Sequence, residues 1–192
     1  MTLKLNLGCG RTILDGWINV DAVALPGVDV VADLDRCRTA PLPFDDASAG
    51  EFLLSHVLEH LSDPLPLMQE LHRIAAPGAL ATIRCPYGSS DDADEDPTHV
   101  RRLFAGSFGY FAQPWYWRAD YGYRGDWETR RIVLFVRRAD HDGLALDAIL
   151  RRVRERRNVV VEMVAELEAV KPARAPDRSL QRAPQLVVQW AE

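Results

Sequence analysis

Histidine and glutamate residues lie close together in the segment His56-Val57-Leu58-Glu59-His60. On a helix, His56, Glu59 and His60 would stand at i, i+3 and i+4 and would share one face. Such a face could bind a metal ion or move a proton, because imidazoles and carboxylates do both. The spacing also fits the inverted zinc-peptidase pattern H-x-x-E-H. The segment directly follows a predicted parallel strand, however, and this position argues against a peptidase.

A second polar group is Asp96-Pro97-Thr98-His99-Val100-Arg101. Its histidine could act as a base near neutral pH. His99 is therefore the first candidate for a general base, and His56 is the second. The alternative is that Asp96 and Thr98 cap the following segment while His99 packs on an aromatic ring.

A glycine-containing turn follows the first predicted strand. Residues 3–7 alternate apolar and polar side chains, as a strand does, and lead into Gly8-Cys9-Gly10. Glycines permit a tight turn and a close approach to a ligand. Asp21 and the pair Asp33-Leu34 end the next two predicted strands, at the sheet edge where α/β proteins bind ligands. Asp21 could accept hydrogen bonds from ribose hydroxyls, and Asp33-Leu34 could reach an adenine, so the order predicts a nucleoside site.

The glycine turn does not fit a nicotinamide dinucleotide. That fingerprint needs a third glycine three residues after the second and an acid about 20 residues further on. Ile13 occupies the third position, and Asp21 comes too early. Cys9 is interpreted as a small side chain in the turn, because no local residue would activate its thiol.

Five short apolar segments predict a parallel sheet whose strands are buried on both faces: residues 3–7, 17–20, 28–32, 51–55 and 79–83. A helix is predicted before the fifth segment. Asp63 can cap it, Pro64 suits its first turn, and Pro77-Gly78 would end it. Leu67, Leu71 and Ile74 would form its inner face. This strand-helix-strand unit predicts the α/β class.

The first two crossovers are short. The step from Gly8 to Asp21 is 13 residues and the step from Asp21 to Asp33 is 12. A crossover with a full helix needs a dozen or more residues beyond its strands. The first helices of a doubly wound sheet are therefore predicted to be turns or to be missing.

The segment after Pro86 is irregular and aromatic. Ten of the 16 Phe, Tyr and Trp residues lie between Phe104 and Trp127. Beyond it, residues 130–138 predict a strand, 143–157 a helix and 186–188 a short strand. Residues 159–170 fit a strand or a helical stripe, and we favour the strand. Residues 1–192 are therefore predicted to form one domain, with a ligand-binding half (1–86), a lid segment (87–127) and C-terminal elements (128–192).

Several of these motifs together resemble the class I S-adenosylmethionine-dependent methyltransferases, of the small type-11 kind. The resemblance covers residues 3–87 and 96–101. It is carried by Leu5–Gly10, Asp21, Asp33-Leu34, the Leu42–Asp46 turn, Ser55–Leu61, and Glu70–Ile74 through Pro77-Gly78. It implies a Rossmann-like sheet with shortened or missing first helices and an antiparallel C-terminal addition. It also implies S-adenosylmethionine as cofactor and methyl transfer as reaction.

The resemblance also implies the cofactor-binding residues, which are Leu7, Gly8, Cys9, Gly10, Arg11, Asp21, Asp33, Leu34, Ser55 and His56. One departure is that Arg11 and Thr12 follow Gly10 where the family often continues with another glycine. Arg11 could bind the carboxylate of the cofactor's methionine part. The alternative is an arginine on a surface turn.

A metal site is a further implication. Small-RNA 2′-O-methyltransferases and ubiquinone-pathway O-methyltransferases have a Glu-His pair at the corresponding place, and in the RNA group acids and histidines there bind a divalent ion. The matching residues are His56, Glu59, His60 and His99, with His56 where the RNA enzymes have a glutamate. Three imidazoles and one carboxylate favour a transition metal over magnesium. The alternative is that Glu59 and His60 only orient the loop.

The acceptor is expected to be a hydroxyl or amine of a small molecule or sugar-like group. Its candidate contacts are Tyr87, Asp96, Arg101, Trp115 and Trp117. The net charge of −5 argues against nucleic acid. The alternative function is a non-catalytic cofactor-binding protein with a degenerate fold, which the short crossovers motivate.

Location and assembly are expectations from composition. Three cysteines without ligand-like spacing suit a reducing cytoplasm. The N-terminal residues lead directly into a strand pattern, so no signal peptide is expected. No apolar run reaches the roughly 18 residues of a membrane span. A sheet face left bare by missing helices needs a cover, either the helix at 143–157 or a second subunit in a homodimer.

Overall fold

Eight β-strands and three α-helices occur in residues 2–139 and 141–191, the part of the chain that the computed structural model describes. The strands are β1 (Leu3–Leu7), β2 (Ile18–Asp21), β3 (Val30–Val31), β4 (Ala49–Ser55), β5 (Ala75–Pro86), β6 (Trp127–Arg137), β7 (Val160–Ala169) and β8 (Gln185–Ala191). The helices are α1 (Pro64–Ile74), α2 (Asp92–Glu95) and α3 (Leu146–Glu155).

All eight strands belong to one sheet, in the order β3-β2-β1-β4-β5-β7-β6-β8. Strands β1 to β5 are parallel to their neighbours, whereas β7 is antiparallel to both β5 and β6. Strand β8 then pairs parallel with β6. The predicted α/β class, with a Rossmann-like parallel half and an antiparallel C-terminal addition, is confirmed.

The missing early helices are a real feature of the fold. No α-helix stands between β1 and β4 among the described residues, and only a 3₁₀ turn at Leu34–Arg36 interrupts the loops. Buried amides hold the first loop instead. Asn6 donates to Thr12 O at 2.9 Å and to Asn19 Oδ1 at 2.9 Å, and Asn19 also bonds the backbone of Leu14. A polar network therefore replaces the first helix.

Helix α1 follows the sequence prediction closely at its start. The side chain of Asp63 accepts a hydrogen bond from Leu65 N at 3.1 Å, and Pro64 occupies the first turn. The predicted inner face is fully buried at Leu67, Leu71 and Ile74. The helix ends at Ile74, earlier than Pro77-Gly78, because β5 already begins at Ala75 and pairs with Ala49 there.

One face of the sheet is uncovered at the amino-terminal part of β1, β4 and β5, so the expectation of strands buried on both faces is wrong there. Leu5, Phe52 and Ala81 are aligned across three neighbouring strands and are buried. The next row on the opposite face is Lys4, Glu51 and Leu80. Lys4 and Glu51 form an ion pair at 2.8 Å, and Leu80 is 52% exposed. The absent helices would have covered this face, and polar residues stand on it instead.

Helix α3 does not cover this face at β5. Its buried residues, Ile149 and Val153, belong to the hydrophobic core that also contains Phe52 and Ala81. Leu80 remains exposed with α3 in place. A second subunit on this face stays a prediction.

The aromatic segment supplies a large part of the core. Trp127 is fully buried, donates from Nε1 to Met68 O at 2.9 Å and meets the ring of Phe52 at 5.7 Å. Phe108 and Phe111 are also buried, whereas Tyr110 and Tyr121 are exposed. The segment therefore packs against α1 and the sheet and presents a few aromatic rings outside. None of the helices described is long and apolar enough to cross a membrane.

Candidate functional site

The glycine turn lies against the histidine segment. Gly8 has φ +64°, and a Cβ atom at this position would lie 2.6 Å from Val57 Cγ2. Gly10 has φ +53°, but a Cβ there would meet nothing within 4 Å. Gly8 is therefore needed for contact with the chain after β4, whereas the space around Gly10 is open to a ligand.

Asp21 is fixed to this turn. Its Oδ2 accepts a hydrogen bond from Gly10 N at 2.8 Å, and its Oδ1 accepts one from Val23 N at 3.0 Å. Cys9 N donates in turn to Val20 O at 3.0 Å. The Cys9 side chain is buried, and burial raises the pKa of its thiol. The carboxylate thus stands at the end of β2 beside the open glycine, and Cys9 serves as a small side chain.

The other predicted cofactor residues differ in exposure. Asp33 accepts from Asp35 N at 3.1 Å and pairs with Arg36 at 3.2 Å. Leu34 is buried in the core, and Arg11 is exposed. Leu7 is buried in β1 and Ser55 is half-buried at the end of β4. All of them lie at or beside the carboxyl ends of the parallel strands.

His56 has an unusual backbone and two carboxylate partners. Its φ is +56°, and the 3₁₀ turn after it covers only Leu58–His60. The expectation that His56, Glu59 and His60 share a helix face is therefore wrong. His56 Nε2 lies 2.9 Å from Glu162 Oε1, and Nδ1 lies 3.1 Å from Glu59 Oε1. These hydrogen bonds raise the pKa of His56 to about 9, so it holds its proton at neutral pH and is not a free base.

Glu162 was not among the residues predicted from the sequence. It lies on β7, more than a hundred positions from His56. Its burial would raise its pKa, but hydrogen bonds from His56 and Arg84 outweigh this and lower the pKa to about 2. The only sequence signal was a glutamate in an alternating strand, which is ordinary for a solvent-facing position.

Glu59 is buried and only partly satisfied. Its side chain is 3% exposed, and its Oε1 faces His56. Its Oε2 has no hydrogen-bond partner among the described residues. The backbone of the second polar group lies over it, because Val100 N and Arg101 N donate to Glu59 O at 2.9 and 3.2 Å.

His60 and His99 face each other above this carboxylate. Their ring centroids are 4.8 Å apart and the rings are tilted by 66°. His60 Nδ1 lies 3.0 Å from Thr98 Oγ1, and that hydroxyl donates to Asp96 Oδ1 at 2.6 Å. The alternative arrangement considered from the sequence is partly realised, since Asp96 also accepts from Thr98 N at 2.8 Å.

Three of the four predicted metal-binding residues come together. One ligand atom from each of Glu59, His60 and His99 lies within 4.8 Å of the others. His56 is not part of this group, because both of its ring nitrogens are used by Glu59 and Glu162.

The predicted acceptor contacts are spread over several places. Arg101 and Trp115 line a cavity of about 660 Å³ beside α1. Trp117 lines a neighbouring cavity of about 370 Å³. Asp96 lies next to His99, at 3.9 Å. Tyr87 is buried and packs on Phe104 at 5.4 Å between centroids.

Comparison with known proteins identifies the fold. Residues 5–83 match the family described as a methyltransferase domain. The fold also resembles a SAM-dependent methyltransferase from Archaeoglobus fulgidus, with a TM-score of 0.59 and 16% identity over 87% of this chain and 86% of that one. The fold is that of a class I methyltransferase. The resemblance predicted from the sequence is confirmed.

Two further structures share the methyltransferase fold. A SAM-dependent methyltransferase from Aquifex aeolicus gives a TM-score of 0.52 at 14% identity, covering 88% of this chain and 82% of its own. The [4+2]-cyclase SpnF gives 0.53 at 15% identity, covering 88% and 75%. No curated protein sequence matches the chain. Since a cyclase appears among these structures, the fold alone does not define the reaction.

Proposed function

We propose that this protein is an S-adenosylmethionine-dependent methyltransferase acting on a hydroxyl or amine of a small-molecule or sugar-like acceptor. The observation that carries the proposal is the glycine turn at Gly8–Gly10. This turn is hydrogen-bonded to Asp21 on one side and packed on Val57 on the other. The turn therefore lies between Asp21, at the proposed nucleoside site, and the histidine segment.

The residues present fit the cofactor. The space at Gly10 is open, and the turn lets the backbone approach a ligand closely. A carboxylate has about four acceptor positions. Two of those on Asp21 are used by Gly10 N and Val23 N, which leaves capacity for ribose hydroxyls. Arg11 is exposed on the same turn and suits a carboxylate ligand.

S-adenosylmethionine, held by the glycine turn and Asp21, would supply an electrophilic methyl group. The acceptor's lone pair would form the new bond to carbon, sulfur would keep the electron pair of the broken carbon–sulfur bond, and a base on the acceptor side would take the acceptor's proton. Alignment supplies much of the rate of such a displacement. His56 keeps its own proton, since its pKa is about 9. His99 is therefore the histidine we assign to the acceptor side, and His60 stands beside it.

The acceptor is proposed to enter along the aromatic segment. The cavity of about 660 Å³ is lined by Arg101 and by aromatic rings such as Phe104 and Trp115. A cavity of this size suits a small molecule. The net charge of −5 is unfavourable for a nucleic-acid acceptor. A cytoplasmic location and a homodimer remain parts of this proposal that rest on composition and on the bare sheet face.

A non-catalytic cofactor-binding protein is the second candidate. The specific observation in its favour is the loss of both early helices, which leaves the loops after β1 and β2 without helical support. The paired histidines over Glu59 argue against it, because a protein that only binds the cofactor has no need of them.

Calorimetric titration with S-adenosylmethionine tests the first step. We expect saturable binding by the wild type and at least tenfold weaker binding by Asp21→Ala. Asp147→Asn is the matched control, because Asp147 is an exposed carboxylate on α3 and belongs to none of the motifs that carry the resemblance. Absence of binding by the wild type, or equal affinity in Asp21→Ala, would refute the cofactor assignment. Binding without S-adenosylhomocysteine release across hydroxyl and amine acceptors would support the non-catalytic alternative.

A further inference from the structure

We propose that Glu59, His60 and His99 bind a divalent transition-metal ion that keeps an open coordination position towards the acceptor. The metal-binding part of the inference stands by itself. The role of the ion in activating an acceptor rests on the proposed function.

The unpartnered oxygen of Glu59 is the first observation. The side chain is 3% exposed, and Oε2 has no hydrogen-bond partner among the described residues. A buried carboxylate oxygen without a partner destabilises the fold, because it has lost its hydrogen bonds to water and has formed none in their place. His56 satisfies only the other oxygen, Oε1. A cation next to Oε2 would remove this cost.

The orientation of the two imidazoles is the second observation. The hydroxyl of Thr98 donates to Asp96, so His60 Nδ1 must carry the proton that joins it to Thr98 Oγ1. His99 Nδ1 lies 3.4 Å from Ala93 O, an acceptor only. Both rings therefore keep their Nε2 lone pairs. Metal-binding histidines are oriented in this way, with the other ring nitrogen donating to an oxygen.

No hydrogen-bond partner for either Nε2 occurs in the described part of the chain. For His99 Nε2, the nearest acidic oxygen recorded is Asp96 Oδ2 at 3.9 Å, beyond hydrogen-bonding distance. The two lone pairs and the Glu59 oxygen are thus three unused donor groups on three neighbouring residues.

The distances between the ligand atoms are slightly longer than those around a bound ion, so a small side-chain movement would suffice for binding. The three ligand atoms lie within 4.8 Å of one another. Donor atoms at about 2.1 Å from a tetrahedral ion stand roughly 3.4 Å apart. The imidazole of His60 is exposed, so a shift of about 1 Å in its position can bring the donor atoms to this spacing.

Hydrogen bonds hold Glu59 and the chain segment next to His99 in place. Two backbone hydrogen bonds to Glu59 O hold residues 100 and 101, and these place His99 over the carboxylate. His56 and Glu162 fix the orientation of Glu59 from behind. Partners of this outer kind normally strengthen metal binding.

The donor set selects the class of ion. Two imidazoles with one carboxylate suit zinc or a similar first-row ion better than magnesium. Three protein ligands leave a position for water or an acceptor oxygen. An acceptor hydroxyl bound there would become more acidic and would release its proton to water before its oxygen forms the bond to methyl. His99 would then act as a ligand and not as a base.

Metal titration of the chelator-treated protein tests the proposal. With ZnCl₂ we expect one equivalent bound, and with CoCl₂ a visible absorption band of a nitrogen- and oxygen-bound ion. Glu59→Gln, His60→Ala and His99→Ala should each weaken zinc binding at least tenfold. Glu95→Gln, an exposed acid of the neighbouring helix α2, is the matched control and should bind as the wild type does. Circular dichroism would verify that each variant is folded.

Two results would overturn the metal site: no stoichiometric zinc binding by the folded wild type, or wild-type affinity in all three cluster variants. S-adenosylmethionine titration in the presence of chelator separates this outcome from the proposed function. Cofactor binding without metal binding would refute only the metal site. Metal binding without cofactor binding would refute only the methyltransferase assignment.

Discussion

Gly8 and Val57 are in direct contact across the carboxyl edge of the sheet, so closely that a Cβ on Gly8 would lie 2.6 Å from Val57 Cγ2. Gly8 begins the turn after β1, and Val57 stands between His56 and Glu59 in the chain after β4. This contact sets the distance between the glycine turn and the histidine segment. Any side chain at position 8 should push the two apart.

Gly8→Ala should therefore lower both stability and cofactor affinity. The positive φ costs an alanine about 1–2 kcal/mol, and the overlap with Val57 adds a repacking cost of about 1–3 kcal/mol. Urea unfolding measures the first effect and S-adenosylmethionine titration the second.

Gly16→Ala is the matched control for this substitution. Gly16 also has a positive φ, +78°, but a Cβ there meets nothing within 4 Å. It should show the backbone cost alone. The double variant Gly8→Ala/Val57→Ala should lose less stability than the sum of its single variants. If Gly8→Ala and Gly16→Ala lower the free energy of unfolding equally, the contact with Val57 does not contribute to stability.

Asn19→Ala should destabilise the loop that replaces the first helix. Asn19 is 3% exposed, accepts from Asn6 and Leu14, and donates to Asp29 Oδ2 at 3.1 Å. Removing its side chain leaves several buried groups unpaired, so we expect a loss of about 2–3 kcal/mol in the free energy of unfolding. Gln189→Ala, at an exposed position of β8, is the control. A loss in Asn19→Ala no larger than in this control would mean that the amide network does not support the turn.

The parallel strands and α1 were predictable because their signals are local. Alternating or apolar runs indicate the strands, and Asp63 with Pro64 indicates the start of α1. The missing helices followed from arithmetic on the crossover lengths. A sheet face left bare by the missing helices was predicted, but its residues were not, because short apolar strands alone do not reveal which face has lost its cover. Lys4 and Glu51 form an ion pair across β1 and β4. Their charged side chains are the feature of the sequence that marks the uncovered face.

The candidate site was predictable only in part. Gly8, Gly10 and Asp21 follow a fixed order along the chain, and the structure brings them together. The partnership of His56 with Glu162 depends on the pairing of β5 with β7, which joins residues far apart in sequence. No local pattern encodes such a contact. The same long-range pairing removes His56 from the predicted metal group.

The buried imidazole of His72 should make the fold sensitive to mild acid. Burial lowers the pKa of His72 from 6.5, although its Nε2 lies 3.0 Å from Val170 O. The unfolded chain therefore takes up a proton more readily than the folded one as the pH falls below about 6.5. Stability due to this group is fully present above that pH and is lost as the pH falls towards the folded-state pKa.

His72→Gln should remove that part of the pH dependence, because an amide can still donate to Val170 O but does not titrate. Lys171 and Asp126 are the charged groups that also influence His72, and both are present in the wild type and in the variant. Urea unfolding of both proteins over this range is the measurement. We expect the free energy of unfolding of the wild type to fall more than that of His72→Gln as the pH falls from 7 to 5. Parallel curves would contradict the prediction.

Arg174 and Asp126 tie the segment after β7 to the start of β6, and breaking the pair should be costly. Asp126 is fully buried, and Arg174 donates to it from Nε at 2.9 Å and from Nη2 at 2.8 Å. Arg174→Met would leave the carboxylate buried without its cation, so we expect a loss of about 3–5 kcal/mol. The double variant Asp126→Asn/Arg174→Met should be more stable than Arg174→Met, because it removes the unpaired charge. Arg182→Met, an exposed arginine, should change the unfolding free energy by less than about 0.5 kcal/mol. If Arg174→Met unfolds at the same urea concentration as this control, the ion pair does not stabilise the fold.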